Sequence, residues 1–135
     1  MIIAGRDEEI AEWAADRLGQ RFIPPYVAIG VETNGKITGA IVINDFCDRN
    51  VELTAVGRGA FSRRVIRDVC RYCFETLNCK RITARTRAGN DHVRGLMERL
   101  GAVQEGFLPD WYDDDDCVIY GLLKSECKFL GHLPC

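Results

Sequence analysis

The run Val51-Glu52-Leu53-Thr54-Ala55-Val56-Gly57-Arg58-Gly59-Ala60-Phe61-Ser62-Arg63-Arg64-Val65-Ile66-Arg67 decides how this chain is read. Its first six residues alternate, with Val51, Leu53 and Ala55 on one face and Glu52 and Thr54 on the other, which is the period of a strand. A glycine-containing turn follows, and Ser62 is a residue type that caps helices. Val65, Ile66, Val69, Cys70, Cys73, Phe74 and Leu77 then recur at helical spacing, and Asn78 suits the helix end. A helix start after such a turn favours anions, because its first N–H groups lack partners and its dipole is positive there. The same dipole disfavours cations in the first turn by about 0.3–1 kcal/mol each. Arg63, Arg64 and Arg67 nevertheless fill the first two turns, with Arg58 just before. A phosphate arriving there would meet N–H donors and guanidinium forks together; solvated arginines without a ligand are the simpler alternative. The turn matches neither a P-loop nor GxGxxG.

Upstream, residues 1–4 read as a short edge strand. Asp7 offers an N-cap to a helix carrying Ile10, Trp13, Ala14 and Leu18, and Gly19 stops it. Pro24-Pro25 excludes regular structure just after. Residues 26–33 and 36–44 are apolar, β-branched runs joined by Asn34-Gly35, the strongest short hairpin signal because both turn residues take φ > 0. Residues 45–50 read as a polar turn. Downstream, 81–86 is a short strand. Asn90 or Asp91 caps a helix with Val93, Leu96, Met97 and Leu100 on one face and Gly101 at its stop. Residues 103–108 and 118–124 are two closing strands, and the tail from Cys127 reads as irregular. The order β-α-β-β-β-α-β-α-β-β predicts an α/β (α+β) fold over a single domain, 1–135. It has a mixed central sheet with helices on both faces. The strands at 51–56 and 81–86 are expected to be parallel, joined by a right-handed crossover.

The 135 residues are 47% apolar and 28% charged, near the globular average, and a chain of this length can bury a core without staples. A net charge of −2 argues against nucleic acid as a partner. No apolar run approaches the roughly 20 residues of a membrane span, so no membrane partner is expected. The start MIIAGRDEEI lacks the basic and apolar regions of a secretory signal, and a cytoplasmic protein is expected. Seven cysteines form an odd set, better read as thiols than as a disulfide framework. Cys70-Arg71-Tyr72-Cys73 is formally CxxC, but zinc needs four ligands and His92 and His132 are the only histidines. Cys70 and Cys73 fall on the apolar helix stripe and read as small buried hydrophobes, with no metal. A zinc-stabilised interaction module using Cys70, Cys73 and Cys79 is the competing reading.

The residues Cys79-Lys80-Arg81-Ile82-Thr83-Ala84-Arg85-Thr86, then Asn90, then Leu96-Met97-Glu98-Arg99-Leu100-Gly101-Ala102, then Glu105-Gly106 resemble the C-terminal half of GNAT acetyltransferases. That family shows a strand, an Asn opening a helix, an LGF-like helix end and Glu-Gly on the next strand. The closing Val118-Ile119-Tyr120-Gly121-Leu122-Leu123 with Glu126-Cys127 is similar to the ribosomal-protein alanine acetyltransferase subgroup and to short acetyltransferases of phages and bacteria. The resemblance implies the GNAT acyl-CoA N-acyltransferase fold and transfer of acetyl from acetyl-CoA to a primary amine by direct attack. It also implies site residues. Leu53, Thr54, Ala55 and Val56 would offer backbone groups to the pantetheine arm. Arg58, Gly59, Ala60, Phe61, Ser62, Arg63 and Arg64 would hold the pyrophosphate, and Asn90 would contact the pantetheine or cysteamine end. Three positions depart from the pattern: Arg58-Gly59-Ala60 is a shortened phosphate turn, Ala102 replaces a common Phe, and Met97 stands where many members carry a tyrosine acid.

Direct attack needs a neutral amine, a polarised carbonyl and a proton for the leaving thiolate. Glu52 is the candidate base, directly or through water, against the plainer reading of a solvent-facing strand residue. Tyr120, and after it Tyr112, are candidate acids on the closing strands, or else packing residues. The acceptor is a small-molecule or peptide amine. The four aspartates at 113–116 either attract a cationic amine or form a solvated turn. A non-catalytic acyl-CoA-binding or interaction domain of the same fold is the alternative, favoured by Met97 and the short turn. A homodimer stays open.

Overall fold

Alternation along the strands sorts apolar side chains onto two sheet faces, and each face collects helices. The computed structural model describes residues 1–130. Its elements are β1 (Ile2–Ile3), α1 (Asp7–Leu18), β2 (Val27–Thr33), β3 (Lys36–Cys47), β4 (Asn50–Val56), α2 (Arg63–Arg71), β5 (Arg81–Arg87), α3 (Asp91–Leu100), β6 (Val103–Leu108) and β7 (Cys117–Leu123). The strands join one sheet in the order β1-β2-β3-β4-β5-β7-β6. Neighbours are antiparallel except β4 and β5, which run parallel as the crossover rule requires. On one face Ile10, Ala11 and Ala14 of α1 pack on Ala28, Ala40 and Val42. On the other, Val65, Val69, Phe74 and Leu100 pack against Ile41, Ile43, Val51, Ile82, Val118 and Leu122. The expected mixed sheet with helices on both faces is therefore present. No helix among the described residues is long and apolar enough to cross a membrane.

The hairpin at Asn34-Gly35 has φ of 53° and 78°, as a type I′ turn demands. Ser62 and Asn90 cap α2 and α3 with their side chains, and Gly19 and Gly101 end α1 and α3 in the left-handed region. Three expectations are corrected and one, the helix from Ser62 to Asn78, is refined. Asp7 does not cap α1; Arg6 holds that position, and Asp7 Oδ1 accepts from Ala28 N at 3.0 Å, tying the helix start to β2. The expected turn at 45–50 is mostly strand. β3 runs on to Cys47 and β4 begins at Asn50, with a register shift between Asn44 and Cys47 and Asp45 at φ 51°. A bulge of this kind absorbs unpaired residues and re-aims their side chains. The helix begun by α2 continues as a π-helical turn, Tyr72–Thr76, before Asn78 at φ 58°. The start of the tail is ordered, with short turns at Lys124–Glu126 and Lys128–Leu130 and with Cys127 and Leu130 buried; its remainder lies outside the described residues.

The turn that enters α2 is clamped to β3 by backbone contact. A Cβ on Gly39 would stand 2.4 Å from Ala60 N, and one on Gly57, at φ 87°, would stand 2.4 Å from Thr38 O. Only glycine lets the 3-10 turn Arg58–Phe61 lie this close to the strand. Gly39→Ala must push the turn away and should cost about 1–3 kcal/mol, the range for forced overpacking. Urea denaturation reads this as a lower midpoint; an unchanged midpoint would show that β3 does not hold the turn.

Candidate functional site

The parallel ladder between β4 and β5 stops early. It pairs Asn50, Val51, Glu52 and Leu53 with Arg81, Ile82, Thr83 and Ala84, although β4 continues to Val56 and β5 to Arg87. Beyond that point Thr54, Ala55 and Val56 stay paired with β3, and Arg85, Thr86 and Arg87 with β7. Each strand thus leaves its partner on one edge only, and the middle of the sheet opens as a wedge. Backbone N–H and C=O groups along such edges retain full hydrogen-bonding capacity. An extended chain bearing amides is the occupant that satisfies them. The starts of α2 and α3 flank the mouth, where the Phe61 and His92 rings meet edge-on at 6.3 Å.

The wedge joins two spaces. On the α2/α3 face a cavity of about 100 Å³ is lined by Leu53, Ala55, Phe61, Ala84, Met97 and Tyr120, among others. On the α1 face a polar cleft of about 510 Å³ includes Asp45, Glu52, Arg85, Arg87, Trp111 and Tyr112. Leu53, Ala55, Arg85, Thr86 and Asn90 line both.

Glu52 stands on the cleft side with 21% of its side chain exposed, and Arg85 Nη2 donates to its Oε1 at 2.5 Å. Burial raises its pKa above the ordinary carboxylate value, a hydrogen bond with Asp45 raises it further, and Arg85 opposes both. The bulge in β3 is what brings Asp45 to this place. Tyr120 lies on the opposite sheet face and is fully buried. Its hydroxyl accepts from Arg94 Nε at 3.2 Å, and the same guanidinium donates to Ala88 O at 2.8 Å and Gln104 Oε1 at 3.3 Å. Glu52 and Tyr120 therefore do not touch; they face the wedge from its two sides. Tyr112 is not on a strand as expected. It sits in the β6–β7 loop with its ring 4.4 Å from the Arg87 guanidinium.

Asn90 Oδ1 accepts from Val93 N at 3.3 Å, and its amide nitrogen has no partner among the described residues. Arg58, Arg63, Arg64 and Arg67 are exposed. None pairs with a carboxylate among the described residues, α2 has no acid in its first turn, and Arg63 lies over the Phe129 ring at 5.1 Å. The aspartates at 113–116 are mostly engaged in building their own loop. Asp114 pairs with Arg87, Asp115 accepts from Gly89 N and Asp116 N, and Asp116 accepts from Asp110 N. Cys70 and Cys73 are buried in the larger core. Burial pushes the Cys73 thiol up to about 12, which suits a packed hydrophobe. Among the described residues no three metal-ligating side chains come together. Reading the sequence missed Asp45, Arg85 and Arg87, because their meeting depends on a bulge and on cross-strand register.

No family model matches the chain, and no curated protein matches it. Solved structures do. A point mutant of the spermidine N-acetyltransferase SpeG from Vibrio cholerae is 21% identical with a TM-score of 0.68, over 92% of this chain and 78% of that one. A chimera of Vibrio cholerae SpeG and hSSAT is 22% identical with a TM-score of 0.66, over 78% and 70%. A protein described as a probable acetyltransferase is 25% identical with a TM-score of 0.67, over 88% and 70%. The fold they share with this chain, whose own form is a mixed seven-stranded sheet between helices, is the GNAT acyltransferase fold.

Proposed function

We propose that this chain is an N-acetyltransferase that moves an acetyl group from acetyl-CoA to a primary amine by direct attack. Within the superfamily, we take the ribosomal-protein alanine acetyltransferases and their short phage and bacterial relatives as its nearest subgroup, on the sequence similarity of residues 118–127 alone. The observation that carries the activity is the wedge between β4 and β5, continuous with a glycine turn and an arginine-rich, acid-free helix start. These parts fit acetyl-CoA. The free edge at Thr54, Ala55 and Val56, with Leu53 at the last ladder pair beside it, suits the amides of the pantetheine arm. Arg58, Gly59, Ala60, Phe61, Ser62, Arg63 and Arg64 offer N–H groups and cations to the pyrophosphate. Asn90 lines both spaces, and its amide nitrogen, unpartnered among the described residues, is the donor we assign to the same arm. When bound, acetyl-CoA supplies an activated thioester. Glu52, with its raised proton affinity, takes the proton from the amine, directly or through water. Tyr120, its hydroxyl oxygen held by Arg94, keeps its own proton to give on the thiolate side. The acceptor is a small-molecule or peptide amine, as spermidine is for the SpeG structures.

Arg63→Ala with Arg64→Ala should weaken CoA binding by about 1.5–3 kcal/mol, the worth of a hydrogen bond to a charged group, and should flatten its salt dependence. Calorimetry checks both, and unchanged affinity would remove the phosphate assignment. Glu52→Gln should lower kcat by about 10²–10⁴ while CoA still binds, whereas a mere binding domain would release no CoA with any amine before or after the change.

The pH profile gives a signed test. Protonated Glu52 cannot accept a proton, so kcat/KM falls as pH drops through its pKa. Asp45→Asn weakens an influence that raises that pKa and should move the acid limb to lower pH. Arg85→Met removes the influence that lowers it and should move the limb to higher pH. Shifts of the opposite sign, or none, would exclude Glu52 as the group that titrates.

A further inference from the structure

The cleft on the α1 face holds five charged side chains: Arg21, Asp45, Glu52, Arg85 and Arg87. Their arrangement is polar in the geometric sense. The two carboxyls lie together at the narrow end, where the β4–β5 ladder stops, and Arg85 is bonded to one of them. Arg87 stands two residues farther along β5, about 7 Å outward by the rise of a strand. Arg21 enters the same cleft from the segment after α1, is exposed, and makes no ion pair among the described residues. Both charged residues that line the outer part of the cleft are therefore cations, with Asp114, the partner of Arg87, outside that lining.

Arg87 is built to be available. Its guanidinium rests against the Tyr112 ring, which fixes the plane of the fork without using its donors. Its only carboxylate partner among the described residues is Asp114, which is 77% exposed. An ion pair so open to water contributes little and exchanges readily. A carboxylate entering the cleft can take that place in a bidentate, less exposed geometry. A second ammonium group would instead meet Arg87 and Arg21 as like charges, and such repulsion selects against a partner.

Resting on the acetyltransferase reading above, we infer that the acceptor is an amine that also carries a carboxylate, its amino group toward Glu52 and its carboxylate toward Arg87 and Arg21. A polyamine such as spermidine has the wrong charge at the outer end.

The test is a calorimetric titration of the protein with CoA, followed by titrations of the CoA-loaded protein with glycyl-L-aspartate, with its diamide glycyl-L-asparaginamide, which keeps the ammonium and carries no carboxylate, and with spermidine. Glycyl-L-aspartate should bind at least tenfold tighter than the amide, and spermidine should bind most weakly. Arg87→Gln should abolish the tenfold preference. Asp114→Asn, which releases Arg87, should tighten glycyl-L-aspartate severalfold, so a folding defect cannot imitate both results. Equal or tighter binding of the amide or spermidine, no binding of the dipeptide, or a preference that survives Arg87→Gln would overturn the inference. Failure of the first titration, with CoA alone, would instead strike the acetyltransferase reading beneath it, and so the two failures are told apart.

Discussion

Four residue pairs of parallel ladder hold β4 to β5, and the rest of the site depends on their ending at Leu53 and Ala84. A split in the middle of a sheet exposes backbone groups that normally cost free energy when left unpaired. It persists here because each departing strand keeps a complete antiparallel partner on its other side, β3 for β4 and β7 for β5. The closed end is held from above. Val65, Val69 and Phe74 pack on Val51, Ile41 and Ile43 from one half of the sheet and on Ile82 and Leu122 from the other. At the open end no such bridge is needed, because the turn after β4 is clamped backbone-to-backbone on β3 through Gly39 and Gly57. The wedge is thus a product of packing at one end and of missing side chains at the other.

The split also separates two chemical environments. The α2/α3 side is apolar, with Met97, Leu53 and Ala84 around a small cavity. The α1 side is a wide polar cleft with charges of both signs. A reaction between a thioester and an amine profits from this division. The thioester end belongs in dry surroundings, whereas the amine must shed a proton to a group that can hold it. Burial and Asp45 raise the proton affinity of Glu52 while Arg85 restrains the rise. Under the proposed activity both influences matter to a base for an amine: the raising ones strengthen its hold on the proton, and Arg85 weakens it.

Local rules made much of this legible in the sequence. Strand alternation at 51–56, the Asn34-Gly35 turn, the Ser62 and Asn90 caps and the glycine stops each depend on residues a few positions apart, and each is present. Long-range pairing made the rest illegible. Nothing in the 118–124 run says that β7 enters between β5 and β6. Asp45 looked like a turn residue because Asp-rich sequence favours turns, yet the bulge keeps it within β3 and points it at Glu52. Asp7 looked like a cap, but a tertiary acceptor role toward Ala28 N outweighed the local one. The aspartates at 113–116 read either as a solvated turn or as bait for a cationic amine, and three of them are tied to Arg87 and to backbone N–H groups of the loop and of Gly89.

The replacement of a helix tyrosine by Met97 looks at first like a loss of chemistry. The geometry argues otherwise. Met97 and Tyr120 line the same cavity, one from α3 and the other from β7, so a phenol still reaches the space that the wedge opens into. Arg94 stands three residues before Met97, on the same side of the helix, and its guanidinium binds the Tyr120 oxygen, Ala88 O and Gln104 at once. That fixes the ring from the helix. A tyrosine at Met97 would compete for the same volume against a buried Tyr120. The two positions are better seen as one site filled from a different element, with α3 contributing the cation and β7 the hydroxyl. Under the proposed activity, the acid has moved across the cavity without leaving it.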